Sequence, residues 1–237
     1  ASQYIVVGLV IIGVLAAAFI SSMIMRRIPF EDHFVLPWAA GRSWLLESIN
    51  PYDTEVIQIA ENAIQESPYQ ASLPEEEALL FPLLNLIFYL PFSLIPYAIS
   101  RLIWVTLLSF SILLIAILGL SLANWKLTPI GKVFVVLISL LWVPGIAISL
   151  MGQLSPILIL LLFISIYLFL EGQDTTAGFI LALTAGSLNV SGLIIVLILV
   201  YAMMNRRWSV VSAFFSGVAF VIVVSLLLIP SWPRDWL

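Results

Sequence analysis

The sequence contains no cysteine and only one histidine, His33. Without cysteine there are no disulfide bonds, thiolate nucleophiles or cysteine-ligated metals, and one histidine cannot build a metal centre that needs several. Charged residues make up 9% of the chain, whereas a soluble domain carries about a quarter. Basic runs interleaved with aromatic residues are also missing, which disfavours a nucleic-acid partner. The composition therefore excludes a soluble globular protein.

Long apolar runs account for most of the 237 residues, of which 62% are hydrophobic. A helix needs about 20 apolar residues to cross the hydrocarbon core of a bilayer, and these runs lack the alternation of a membrane β-strand. We therefore predict an all-α membrane protein that forms a single transmembrane domain over residues 1–237. About seven transmembrane helices are predicted, at residues 4–25, 79–96, 101–122, 130–150, 154–170, 176–204 and 208–229.

The sixth predicted span is too long for one simple helix, and its middle, residues 187–192, is polar and weakens a helix. A break there would change the orientation of the spans on one side of it. Arg206 and Arg207 favour a cytoplasmic loop before the last span, whereas Lys126 and Lys132 favour the opposite side. We predict that the N-terminus is inside and the first long loop outside.

The ends of the chain suggest a longer protein. The first residue is alanine rather than methionine, and the last residues follow a proline-containing membrane exit at residues 230–233. We therefore expect that the chain is truncated at its C-terminus.

Ten of the thirteen acidic residues lie between residues 26 and 78, directly after the first predicted span. We predict that this segment is an external loop with two short amphipathic helices that lie flat in the membrane interface and roof a cavity. The first helix should begin near Leu36, because Pro37 is tolerated only in the first turn. The second should cover residues 54–65, with Asp53 or Thr54 as its cap.

Glu31 and Asp32 are the strongest candidates for chemistry because they follow the first span at the membrane surface. A carboxylate can accept the proton of an attacking hydroxyl, or it can ligate a divalent cation through oxygen. The alternative is that both are ordinary solvated acids of a loop. Two asparagines within the apolar spans, Asn85 and Asn189, are costly to bury alone, and hydrogen bonds between helices are their usual role.

An ordered series of short motifs follows Asp32 along the chain. The series comprises Ala39-Ala40, Leu45-Leu46, Asn50-Pro51-Tyr52-Asp53, Leu80-Phe81-Pro82-Leu83-Leu84, Ala98 to Trp104, Gly152-Gln153-Leu154-Ser155 and Arg206-Arg207-Trp208. It resembles the bacterial integral-membrane glycosyltransferases of GT-C type that use polyprenyl-phosphate-mannose, and the resemblance covers nearly the whole chain. The resemblance implies a multi-pass protein of the bacterial inner (plasma) membrane.

The resemblance also implies a reaction and a set of site residues. Asp32 would be the catalytic base that activates an acceptor hydroxyl, which displaces polyprenyl phosphate with inversion, and Glu31 would orient it or help to hold a divalent cation. Arg42 is a nearby cation for the leaving phosphate, and Asn189 stands where the family has a lysine. Gln153 would bind a headgroup or cap a helix, and Tyr52 would stack on the sugar or anchor the membrane interface. The implied partners are a lipid-linked sugar donor and membrane lipids. The resemblance implies no definite cofactor beyond the divalent cation that Glu31 could help to hold.

Two positions depart from the family's pattern. Asn189-Val190 stands where the family has Lys-Pro, and Ser155 stands where it has asparagine after Gly-Gln. A lysine would pair naturally with a phosphate, whereas asparagine offers only hydrogen bonds. An alternative therefore remains open, in which the chain is a non-enzymatic membrane subunit of the same fold that stabilises a larger complex with other subunits.

Overall fold

The computed structural model describes residues 18–74 and 83–236. Within these residues the chain is helical except for turns, connecting loops and two short strands, β1 (Phe30–Glu31) and β2 (Ala71–Ser72). The helices are α1 (18–25), α2 (Val35–Arg42), α3 (Glu55–Gln65), α4 (Leu83–Leu86), α5 (Leu90–Ser93), α6 (Tyr97–Leu122), α7 (Pro129–Leu141), α8 (Val143–Leu150), α9 (Ser155–Leu170), α10 (Asp174–Leu183), α11 (Leu188–Met204), α12 (Trp208–Leu228) and α13 (Trp232–Trp236). A π-helical turn, Ser43–Glu47, continues α2.

The described residues form two compact units. The first unit contains residues 18–74, 89–110 and 140–153, and the second contains residues 83–88, 111–139 and 154–236.

Two helices, α6 and α12, are long and apolar enough to cross a membrane. The bent pair of α7 and α8 gives a third span if both helices belong to one passage, and α9, α10 and α11 are shorter apolar helices. The chain is therefore a predominantly helical, multi-pass membrane protein. Parts of the first two predicted spans, residues 4–17 and 79–82, lie outside the described residues.

The sixth predicted span is divided into α10 and α11, with the break at residues 184–187, whereas residues 188–192 of its polar middle belong to the start of α11. The Ser191 hydroxyl donates a hydrogen bond to the Thr184 carbonyl (2.7 Å), and Asn85 Nδ2 donates to the Ser187 hydroxyl (2.9 Å). Asn85 Nδ2 also lies 3.4 Å from the Gly186 carbonyl oxygen, so side chains donate to two carbonyls that the interrupted helix leaves open. The predicted hydrogen-bonding role of Asn85 is confirmed, whereas Asn189 is exposed.

Small residues let α10 and α12 approach closely in the second unit. A Cβ atom on Gly178 would meet the Val210 carbonyl oxygen and lie 2.8 Å from Ala213 Cβ. Ala177 and Val210 are fully buried in the same contact region.

Gly178→Ala should lower the free energy of unfolding by about 1–3 kcal/mol, because overpacking forces the helices apart. Gly192→Ala is the matched control, since its Cβ would have Leu188 Cβ as its nearest neighbour, at an ordinary 3.5 Å, and alanine favours a helix. Thermal unfolding of both variants in detergent measures the difference. Equal melting temperatures for the two variants would contradict the close approach.

The first unit closes the acidic loop with the pair of strands. β1 and β2 are parallel, with Phe30 opposite Ala71 and Glu31 opposite Ser72. The Asp32 amide then donates to the Ser72 carbonyl (2.9 Å). This pairing was not predicted, and it fixes the position at which the loop leaves the strand.

The two loop helices differ in how well the sequence described them. α3 matches its prediction within one residue, and Asp53 Oδ1 accepts the Glu55 amide hydrogen at 3.2 Å. In contrast, all residues of Val35–Gly41 in α2 are buried. The predicted amphipathic surface helix therefore does not describe α2, because α3, with Val56 and Ala60 buried, and α5 both pack on it.

Candidate active site

Asp32 lies immediately after β1 and has no exposed surface. Its Oδ1 accepts a hydrogen bond from the Phe34 amide at 2.8 Å. Its Oδ2 accepts one from Arg101 Nε at 2.9 Å and another from the Tyr97 hydroxyl. Two side chains from the start of α6 and one backbone amide before α2 therefore hold the carboxylate, and such partners are what a buried charge requires.

Arg101 lies in the second turn of α6 and is also fully buried. Besides the bond to Asp32, its Nη2 donates to the Leu150 carbonyl at the end of α8. Its guanidinium carbon lies 5.3 Å from the ring centre of Phe30 and 5.8 Å from that of Phe34. Nη1 has no hydrogen-bond partner among the described residues. The guanidinium thus keeps hydrogen-bond donors unused in a place that excludes water.

A turn at Gly152 brings the chain against this ion pair. Gly152 has φ +75°, a conformation that glycine adopts without strain. A Cβ atom there would lie 3.1 Å from Asp32 Oδ1 and 3.2 Å from Arg101 Cζ. The Trp104 indole donates to the Gly152 carbonyl at 2.9 Å. Only a residue without a side chain allows the backbone so close to both charges.

Aromatic rings surround the pair on the side of α5 and α6. Trp104, which has no exposed surface, lies with its ring centre 5.2 Å from that of Phe34, 4.7 Å from that of Tyr89 and 5.3 Å from that of Phe92. Rings at these distances attract one another beyond their area burial. They also keep water out, which strengthens the electrostatic interaction of Asp32 with Arg101.

Two other predicted site residues, Glu31 and Gln153, are sequence neighbours of Asp32 and Gly152. Glu31 is exposed although its neighbour Asp32 is buried, as side-chain alternation at a strand implies. Gln153 is half-buried in the turn that contains Gly152. The centre therefore brings together Asp32 and the turn of Gln153, with Glu31 at its exposed edge.

Arg42 and Tyr52 belong to the first unit, like Asp32 and Arg101, but their hydrogen bonds are with other residues. Arg42 Nη1 donates to the Ser93 carbonyl at 3.2 Å, and its guanidinium carbon lies 5.5 Å from the Trp38 ring centre. Tyr52 is half-buried, and its amide donates to Asn50 Oδ1 at 3.1 Å. These contacts leave Arg42 half-exposed at the end of α2, where it can still reach a ligand.

Asn189 belongs to the second unit, where it is exposed in the first turn of α11. Its Oδ1 accepts the amide hydrogen of Val190 at 3.1 Å. Among the described residues, no group of three histidine, aspartate or glutamate side chains is placed to hold a metal ion.

Sequence reasoning missed Tyr97, Arg101 and Gly152 as parts of this centre. Arg101 was noticed there only as part of the motif Ala98 to Trp104, without a role of its own. A signal was nevertheless present, because an arginine within an apolar helix needs a partner. Asp32 was the acid already singled out at the membrane surface.

The fold and the site together define a multi-pass membrane protein with a buried acid–arginine pair near the start of a membrane helix. Comparison with protein-family models matches residues 79–237 to Glycosyltransferase family 87. The chain belongs to this family, whose members are membrane glycosyltransferases of GT-C type. Tyr97, Arg101 and Gly152 lie within the matched segment, and Asp32 precedes it. Searches of curated proteins and of solved structures found no match.

Proposed function

We propose that this protein transfers a sugar, with mannose as the first candidate, from a polyprenyl-phosphate donor to an acceptor hydroxyl, with inversion at the anomeric carbon. Family membership supports a glycosyltransferase in a membrane, and the ordered motifs described above favour the lipid-linked donor. We place the reaction at the outer face of a bacterial inner membrane, with about seven spans, the N-terminus inside and the acidic loop outside. The observation that carries the proposal is the complete burial of Asp32 between Arg101 and Tyr97.

In the proposed reaction Asp32 is the general base. The acceptor oxygen attacks the anomeric carbon while its proton passes to the Asp32 carboxylate. The bond between the anomeric carbon and the phosphate oxygen breaks, and its electron pair leaves with polyprenyl phosphate. Asp32 has no exposed surface and is held by three donors, so the acceptor hydroxyl can reach the carboxylate only after a group that covers it has moved.

The remaining predicted contacts belong to the proposal as substrate-binding groups. Arg42 and Tyr52, half-buried in the acidic loop, are suited to the polar part of the donor. Gln153 offers an amide beside the Gly152 turn, and Asn189 offers one on the second unit. Glu31 is exposed next to the base, where it can orient the acceptor or bind a divalent cation.

The proposal is tested with purified protein in lipid nanodiscs. A polyprenyl-phosphate sugar and the corresponding nucleotide sugar are supplied in parallel, each with a lipid acceptor, and the anomeric configuration of the product is determined by NMR. We expect transfer from the lipid-linked donor alone, with inversion. Transfer from the nucleotide sugar alone, or with retention, would exclude the proposed reaction. Absence of transfer from both donors, together with stoichiometric co-purification of other membrane subunits, would favour the non-enzymatic role.

A further inference from the structure

The Asp32–Arg101 pair presents a difficulty for the base that the proposed function requires. A base must offer a lone pair to the acceptor, yet Asp32 has no exposed surface and is bonded to Arg101, Tyr97 and the Phe34 amide. In this arrangement the carboxylate is shielded from substrate. A further event has to expose it before proton transfer can occur.

Arg101 is the partner best suited to leave. Its Nη1 is buried without a hydrogen-bond partner among the described residues, so an incoming anion would find donors that are already desolvated. Guanidinium groups bind phosphate through pairs of hydrogen bonds. Because Gly152 has no side chain, only its backbone lies against the guanidinium on that side, where an added Cβ would lie 3.2 Å from Arg101 Cζ.

A second arginine shows that the contacts of Arg101 do not by themselves require burial. Arg207 Nε donates to Asp174 Oδ2 at 3.2 Å, its Nη2 donates to the Phe169 carbonyl, and its guanidinium lies over the Phe169 ring. This pair repeats the pattern of Asp32–Arg101, but the side chains of Arg207 and Asp174 are 26% and 21% exposed. Water can accept hydrogen bonds from the remaining N–H groups of Arg207, whereas the unpaired Nη1 of Arg101 is buried away from solvent.

We propose that Arg101 binds the phosphate of the lipid-linked donor and, in doing so, releases Asp32 to act as the base. This inference rests on the proposed function and deepens it, since it couples the exposure of the base to the presence of the donor. Without donor, Arg101 remains bonded to the carboxylate. When the donor binds, the Arg101 guanidinium pairs with its phosphate instead of with Asp32. Tyr97 and the Phe34 amide continue to donate hydrogen bonds to Asp32.

The exchange also suits the charge that develops in the reaction. The phosphodiester of the donor carries one negative charge, and the leaving phosphate monoester gains a second as the bond to the sugar breaks. Asp32 becomes neutral when it receives the acceptor's proton. A cation that has moved from Asp32 to the phosphate therefore lies where negative charge increases, which favours the transition state.

The exchange is tested with the binding of polyprenyl phosphate, the product lipid without its sugar. If Asp32 and the phosphate compete for Arg101, Asp32→Asn should bind polyprenyl phosphate about tenfold more tightly than wild type, or better. Arg101→Met should weaken binding by about 100-fold or more, and in the Arg101→Met background the further change Asp32→Asn should no longer give the tenfold gain, because the group for which Asp32 competes is absent. Both are measured by displacement of a fluorescent polyprenyl phosphate from protein in nanodiscs.

The controls separate the competition from general effects on the protein. Arg207→Met removes an arginine with the same pattern of contacts and should bind polyprenyl phosphate as wild type does. Uncharged polyprenol should bind equally to wild type and Asp32→Asn. Inorganic phosphate and phosphatidic acid distinguish the sources of phosphate: displacement of the probe by phosphatidic acid at equal concentration would make the site a general headgroup site and overturn the assignment to the donor.

An affinity of Asp32→Asn equal to or below that of wild type would overturn the exchange. Sugar transfer by the wild type would still stand in that case, so this failure differs from failure of the proposed function. If Asp32→Asn does not fold, a structure of the wild type with polyprenyl phosphate decides the question. Phosphate oxygens within about 3.2 Å of Arg101 support the exchange, and a phosphate bound at Arg42 with the Asp32–Arg101 pair intact excludes it.

Discussion

Asp32→Asn should lower the rate of sugar transfer by about 10²–10⁴-fold, the contribution that a positioned general base makes. Asparagine keeps the shape of the side chain but cannot receive the proton of the acceptor hydroxyl. Because Arg101 would still reach its phosphate, the loss should appear in kcat and not as a raised KM. Transfer at the wild-type rate would exclude Asp32 as the base.

The same substitution should also destabilise the protein, and the two effects can be separated. Removing one partner of a buried ion pair leaves the other charge uncompensated, at a cost of about 3–5 kcal/mol. Replacing both partners, as in Asp32→Asn with Arg101→Met, should restore most of this stability. Transfer should remain absent in the double variant. Recovery of transfer together with stability would assign Asp32 a structural role.

Asp174→Asn is the matched control for this substitution. It breaks the pair with Arg207, whose two side chains are about a quarter exposed, so we expect a loss of only about 0–1 kcal/mol. Transfer should be unchanged. Thermal unfolding and initial rates, measured side by side for the two aspartate variants, therefore separate the cost of burial from the loss of the base.

Gly152→Ala is expected to lower the free energy of unfolding by about 2–4 kcal/mol and to reduce transfer. Part of this cost is the left-handed backbone, which disfavours any residue with a Cβ. The rest is steric, since the new Cβ would lie 2.9 Å from Phe34 Cβ and 3.1 Å from Asp32 Oδ1. Relief of these contacts has to move Asp32, Arg101 or the turn itself.

Gly172→Ala isolates the steric part of this effect. Gly172 has nearly the same backbone, φ +79° against φ +75° for Gly152, but nothing lies within 4 Å of its added Cβ. It should lose only about 1–2 kcal/mol and should transfer sugar normally. Equal destabilisation of the two variants would mean that Gly152 is required for its backbone alone.

The sequence identified features whose cause is local. α3 could be predicted because Asp53 and the apolar positions Val56 and Ala60 belong to one short stretch. The division into α10 and α11 could be anticipated because the apolar run is too long for one simple span, although the break at residues 184–187 lies before most of the polar stretch at residues 187–192. Asp32 could be singled out because an acid at the end of an apolar span is unusual.

Features that depend on distant segments could not be predicted in the same way. α2 has an apolar stripe, but its other residues are buried by α3 and α5, which no periodicity within α2 reveals. The partner of Asp32 lies 69 residues away. The Gly-Gln element at Gly152 was noticed as a motif, but its approach to the ion pair depends on how the end of α8 packs against α6.

The long separation of the site's parts has a consequence for synthesis of the protein. Asp32 leaves the ribosome well before Arg101, and Arg101 before Leu150 and Gly152, which complete its surroundings. Segments of a chain are made from the N-terminus onward and fold as they become able to pack. Until residue 152 has been inserted, the acidic segment therefore lacks the turn that encloses its carboxylate. We therefore expect the centre to be complete only when roughly two thirds of this sequence has been made.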